Sequence, residues 1–116
     1  MNTKKELFER SLQEYDKGNI KKSFELAERL IFLYGAIEGY YILVLIYAVQ
    51  EEWENTIKNC LKVFEVAPNI GDNLNRLGVA YCQLGNYQNG ISYFKLGIEI
   101  GDKHCIENYN FWNNKI

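Results

Sequence analysis

The side chains best suited to chemistry in this chain stand close together near its C-terminal end. His104 is the sole histidine, Cys105 follows it, and Glu107 lies two positions further on. Imidazole, thiolate and carboxylate are the groups from which nucleophilic sites and metal centres are assembled. Their spacing argues against both uses. Adjacent helical residues do not face each other, so a helix would aim His104 and Cys105 in different directions. His104 and Glu107 do share a face, but a stable metal site needs about three or four protein ligands. The other cysteines are Cys60 and Cys82, and no two of the three lie within four residues of each other. That excludes zinc-finger spacing. Gly97-x-x-x-Gly101 lacks the lysine and hydroxyl residue that complete a phosphate-binding loop. Glu51, Glu52 and Glu54 read as a solvated turn. The expectation is a chain that is not an enzyme and has no catalytic residues, no metal and no cofactor.

Composition narrows the class further. The 116 residues suit one domain, and 47 % of them are hydrophobic, which argues against disorder. The net charge is −2, and basic residues pair up only at Lys4-Lys5 and Lys21-Lys22. A nucleic-acid binder shows a clustered basic face, so no nucleic-acid partner is expected. The N-terminal residues from Met1 to Arg10 contain no apolar stretch of the kind that marks a signal peptide. An odd cysteine count without a close pair predicts free thiols and a reducing compartment, and hence a cytoplasmic location. Leu30 to Val49 carries one charged residue, Glu38, and its length is borderline for a membrane span of about 20 apolar residues. Gly35, Glu38 and Gly39 interrupt it. The expectation is two buried helix faces joined by a turn, and no span.

The elements that must position these side chains are legible in a repeat. Shifted by 34 residues, Leu43 meets Leu77, Tyr47 meets Tyr81, and Trp53 meets Tyr87. Ile57 meets Ile91, Cys60 meets Phe94, and Phe64 meets Ile98 at the same shift. A shift of 33 brings Ile20 onto Trp53, Phe24 onto Ile57 and Ala27 onto Cys60. The first helix, around Leu7, Phe8, Leu12 and Tyr15, aligns less cleanly. Tyr87, Ile91, Phe94 and Ile98 advance by four, three and four, a helical stripe. Gly18-Asn19, Gln50-Glu51-Glu52 and Gly85-Asn86 are short separators, which favour antiparallel helix pairs. Helices are expected at about 4–16, 20–33, 38–50, 53–66, 71–84 and 87–100, with a seventh at about 104–112.

The third copy carries a family likeness. Leu77-Gly78, Tyr81, Gly85-Asn86-Tyr87, Gly90-Ile91, Phe94 and Gly97-Ile98 resemble the tetratricopeptide repeat. That pattern is leucine-glycine, tyrosine, glycine-aspartate-tyrosine, alanine, phenylalanine, alanine and proline. Gly90 and Gly97 stand where alanine is usual, and Asp102 where proline is usual. The second copy keeps Leu43, Tyr47, Ile57 and Pro68, but has Val44 for the small glycine and Glu51 for the turn glycine. The first keeps Gly18 and Ala27. Sel1-like relatives insert residues between the paired helices, and this chain has no such insertion. The resemblance implies an all-α fold, a right-handed superhelix of antiparallel helix pairs with about seven helices. It implies one domain over 1–116, with repeats at about 4–35, 37–70 and 71–104 and a capping helix at 104–112. Gly78, Gly90 and Gly97 each cost a helix about 1 kcal/mol relative to alanine, which suggests helices that approach closely.

In tetratricopeptide proteins the first helix of each pair lines a concave groove. The resemblance places Asp72, Asn75, Arg76, Val79 and Gln83 there in the third pair. The repeat carries them to Glu38, Tyr41, Ile42, Leu45 and Val49 in the second, with Phe8, Leu12 and Tyr15 nearest in the first. The implied function is a scaffold or adaptor that binds a protein or peptide. The expected contact set is Tyr15, Glu38, Tyr41, Leu45, Asp72, Asn75, Arg76, Val79 and Gln83. Chaperone-binding members grip a terminal carboxylate with basic and amide residues. Arg76 matches one such position, while Asp72, Ile42, Phe8 and Leu12 occupy others, so that clamp is largely absent. Phe111 falls 34 residues after Leu77 and is expected to plug the last pair, with Trp112 assisting. An exposed Trp112 and Tyr109 would instead favour a homodimer, the alternative reading.

Overall fold

Thr3 opens the first helix by a reciprocal exchange. Its hydroxyl accepts from the Glu6 backbone N–H at 3.1 Å, and the Glu6 carboxylate accepts from the Thr3 N–H at 3.3 Å. This capping box satisfies donors that a helix start leaves bare. The computed structural model describes residues 3–116; Met1 and Asn2 of the N-terminal segment read above lie outside the described residues. The helices are α1 (Lys4–Asp16), α2 (Ile20–Tyr34), α3 (Ile37–Val49), α4 (Trp53–Val66), α5 (Gly71–Gln83), α6 (Tyr87–Glu99) and α7 (Lys103–Asn113). Their bounds fall within two residues of those expected. Asp102 caps α7, its Oδ1 accepting from Cys105 N–H at 2.9 Å. No strand occurs among the described residues.

Each helix packs on the next in the chain, α1, α3 and α5 lie side by side, and α7 continues that row beside α5. The result is an extended solenoid with principal extents of 49 × 24 × 20 Å. The segment Leu30 to Val49 is split by Gly35, which ends α2 in the left-handed conformation at φ 57°. Beyond it α3 is packed by α1, α2, α4 and α5, so Ile42, Leu43, Val44, Leu45 and Ile46 are all buried. A helix apolar all round is a core helix in such a setting. No helix among the described residues is long and apolar enough to cross a membrane.

The crossing inside each pair explains the small residues. In the first pair, Ser11 Oγ donates to the Ser23 carbonyl at 2.9 Å, and Ser23 Oγ donates to the Ser11 carbonyl at 2.8 Å. Both serines are fully buried. The repeat carries this couple to Val44 and Thr56, then to Gly78 and Gly90. It also carries Leu7 to Tyr40 and Leu74, which fixes the register of α1. A Cβ on Gly90 would stand 2.7 Å from the Gly78 carbonyl oxygen and would collide with Cys82 Sγ. A Cβ on Gly78 would enter the Phe94 ring, and one on Gly97 would stand 2.7 Å from Cys105 Cβ. The glycines therefore mark close helix contacts.

The C-terminal cap differs from expectation. Phe111 is 54 % exposed, whereas Cys105, Tyr109 and Trp112 pack on the cluster of Leu74, Cys82, Ile91 and Phe94. Trp112 meets Tyr87 with ring centroids 6.0 Å apart. These three residues advance by four and three, one face of α7. Leu77 is buried with Val44 and Cys60 of the preceding pair. Phe111 lies off that inward face, and no helix among the described residues follows α7 to cover it.

Two stability changes of opposite sign follow. Gly90→Ala gains about 1 kcal/mol of helix propensity, but forcing a methyl against a backbone carbonyl costs about 1–3 kcal/mol. A net loss of about 1 kcal/mol is expected in thermal unfolding followed by circular dichroism, and a raised Tm would refute the close approach. Glu51 sits at φ 57°, where its repeat equivalents Gly18 and Gly85 sit at 85° and 83°. A left-handed backbone penalises a side chain by about 1–2 kcal/mol, so Glu51→Gly is expected to stabilise by about 1 kcal/mol in urea titration.

Candidate binding groove

Three polar side chains from two helices meet where α3 faces α5. Tyr41 donates its phenol hydroxyl to Asp72 Oδ2 at 3.1 Å. Arg76 donates Nε to the same oxygen, also at 3.1 Å. Asp72 and Arg76 are four apart on α5, so they share a face; Tyr41 reaches them from α3. Burial pushes the Tyr41 hydroxyl above its ordinary pKa, and the Asp72 charge adds to the effect. The phenol therefore stays protonated and able to donate. Lys4 Nζ stands 3.4 Å from Glu38 Oε2, which ties α1 to α3.

Two clefts flank this trio. One, of about 250 Å³, is lined by Phe8, Ile37, Glu38, Tyr41, Val63, Ile70 and Asp72. The other, of about 220 Å³, is lined by Ala48, Val49, Trp53, Asn75, Arg76 and Val79. Tyr41 and Asp72 border the first and Arg76 borders the second, so the bonded trio forms a junction between the linings of the two clefts. Both clefts combine apolar walls with a few polar groups, the composition that suits ligand recognition.

The structure thus brings Glu38, Tyr41, Asp72, Asn75, Arg76 and Val79 to one region. Tyr15 is half-buried against the cluster of Ala27, Ile42, Leu43, Leu45 and Ile46. Gln83 is exposed at the end of α5. Leu45 is a core residue, 8 % exposed; the expectation that it offers surface to a ligand is corrected, because α3 is packed on several sides. Ile42 is fully buried, whereas Val49 is 63 % exposed. Asn75 Oδ1 is engaged by Asn108 Nδ2 of α7 at 2.8 Å, so the row of first helices extends onto α7.

Sequence reasoning missed several residues here. Asn108 carried a misleading signal, since the period takes the buried Leu74 to Asn108 and Asn75 to Tyr109, which packs on the core instead. Ile37, Trp53, Val63 and Ile70 had none, because they enter the clefts from helix ends and second helices. His104 and Glu107 do pair, with Nδ1 and Oε1 3.3 Å apart, but their side chains are 72 % and 60 % exposed. Cys105 is fully buried, with Sγ 3.8 Å from the Gly71 carbonyl. No group of three or more His, Cys, Asp or Glu among the described residues is placed to hold a metal ion.

Seven helices among the described residues, paired crossings at a spacing of 33 and 34 residues, and a row of first helices give a tetratricopeptide-like α-solenoid fold. Solved structures agree with that class. The Sgt2 TPR domain from Aspergillus fumigatus superposes with a TM-score of 0.86 at 14 % identity, covering 97 % of this chain and 78 % of that one. MamA AMB-1 superposes at 0.84 with 20 % identity, over 97 % of this chain and 63 % of that one. A further MamA crystal structure gives 0.78 at 16 % identity, over 98 % and 78 %. At these identities the likeness is one of fold. No protein-family profile and no curated protein sequence matches the chain.

The cysteines offer a direct check on this packing. Burial pushes the Cys60 and Cys105 thiols up to about 12 and Cys82 up to about 11. The folded pKa values are raised, so the associated stability is complete below the ordinary value of about 9 and is lost as pH rises through 9 to 12. At pH 8 a thiol-specific disulfide reagent is expected to leave the folded protein unmodified over minutes and to label all three cysteines in denaturant. Stability to urea is expected to fall above pH 9. Rapid labelling of the folded protein would contradict the burial.

Proposed function

We propose that this chain is a non-catalytic interaction scaffold that receives a peptide segment of a partner protein in the concave groove between the second and third helix pairs. The observation that carries the reading is the bonded trio of Tyr41, Asp72 and Arg76, whose hydrogen-bonding groups stand beside the apolar walls of two clefts. Extended peptides and amphipathic helices are recognised by such combinations of pocket and donor. The contact set retained is Tyr15, Glu38, Tyr41, Asp72, Asn75, Arg76, Val79 and Gln83, widened by Val49 and Trp53. A single domain of three repeats presents it. The scattered basic residues favour a protein partner over nucleic acid. Three free, buried thiols suit the reducing environment of the cytoplasm.

Self-association is the second reading. It is favoured by Ile106, Phe111 and Ile116, which are 42 %, 54 % and 71 % exposed at the α7 end. Light scattering across a concentration series separates the two, because a stable dimer that hides Tyr41 would reject a free groove. For the leading reading, Tyr41→Ala combined with Val49→Asp is expected to weaken partner binding by about 30-fold, equivalent to about 2 kcal/mol at an aromatic anchor. Circular dichroism should remain unchanged, since both positions reach the surface. Equal affinity of the wild type and this variant would reject the groove.

A further inference from the structure

The charges at the junction of the clefts are already matched. Asp72 holds Arg76, and Glu38 holds Lys4. The Asp72–Arg76 pair is partly exposed, with side chains 43 % and 33 % accessible. An exposed pair four apart on a helix contributes little to stability, so helix support alone gives it a small role. Its effect on an incoming ligand is larger. A peptide carboxylate aimed at Arg76 would have to enter beside Asp72, and like charges brought together oppose binding. An uncharged backbone meets no such opposition, and it can still exchange hydrogen bonds with Tyr41.

We infer that Asp72 is a specificity-determining residue that occupies Arg76, closes the groove to peptide carboxylates, and selects an uncharged internal peptide segment with apolar side chains on either side of the junction. The inference rests on the groove reading above. The cleft of Phe8, Ile37, Val63 and Ile70 takes one apolar side chain. The cleft of Val49, Trp53 and Val79 takes the other. Between them the backbone crosses the trio. Asp72 thereby acts through Arg76, and replacing it by a neutral isostere uncovers a cation in the groove.

The test uses the full chain and a displayed library of random dodecamers, presented either within a carrier loop or with a free C-terminus. The wild type is expected to enrich loop-presented sequences with two apolar residues separated by uncharged ones. The winning sequence is then synthesised with amidated ends, in one neutral form and one form with a glutamate between the apolar residues. Fluorescence anisotropy should show about tenfold tighter binding of the neutral form. Asp72→Asn should erase or reverse that preference, and adding Arg76→Gln should abolish the reversal. Circular dichroism of each variant verifies folding. Enrichment of acidic or carboxyl-terminal sequences by the wild type, through binding that Tyr41→Ala removes, would overturn this inference alone. An unchanged preference in folded Asp72→Asn would do the same. Failure of both library formats to yield any binder would overturn the groove reading with it.

Discussion

The architecture depends on how closely two helices approach inside each pair. Ser11 with Ser23, Val44 with Thr56, and Gly78 with Gly90 occupy the same crossing three times. The serine couple closes its gap with two reciprocal hydrogen bonds to backbone carbonyls. The middle couple uses a methyl-bearing pair, with Thr56 Oγ1 returning its proton to the Glu52 carbonyl at 2.9 Å. The glycine couple removes side chains altogether and lets Phe94 lie on the opened surface. These solutions differ in chemistry, but each leaves no buried hydroxyl unpaired, as burial of polar groups requires.

Once the crossings are set, the first helices form a row. α3 is enclosed, and for that reason it contributes Tyr41 and Val49 to the surface while Ile42 and Leu45 enter the core. The same enclosure accounts for the segment Leu30 to Val49, whose apolar character serves packing between repeats. At the far end α7 has neighbours on one side, so Trp112 is taken inward and Phe111 is left outside. Equivalence by sequence position thus holds only where the neighbouring helix is present as well.

Helix existence, pairing and order were legible because Gly18, Gly85 and Pro68 punctuate a sustained apolar stripe. The register of α1 was obscured because its crossing residue is a serine, and a search for apolar matches passes over a buried hydroxyl whose partner lies on another helix. The region of the candidate site around Tyr41, Asp72, Asn75 and Arg76 was legible in outline. Its internal division was not, because the Tyr41–Asp72 bond joins successive repeats and appears in no single-helix pattern. Trp53 and Ile70 escaped for a related reason, since a cleft wall can be borrowed from a helix end that has no place in the concave stripe.

The Tyr41–Asp72 hydrogen bond also has a mechanical side. In a solenoid each repeat touches only its neighbours, so overall curvature is a sum of local angles. That bond runs between the second and third repeats and acts as a strut at one of those angles. If a peptide binds here as proposed, its carbonyl would compete for the same proton. Occupancy would then release the strut, and ligand contact and curvature would be set by a single proton donor.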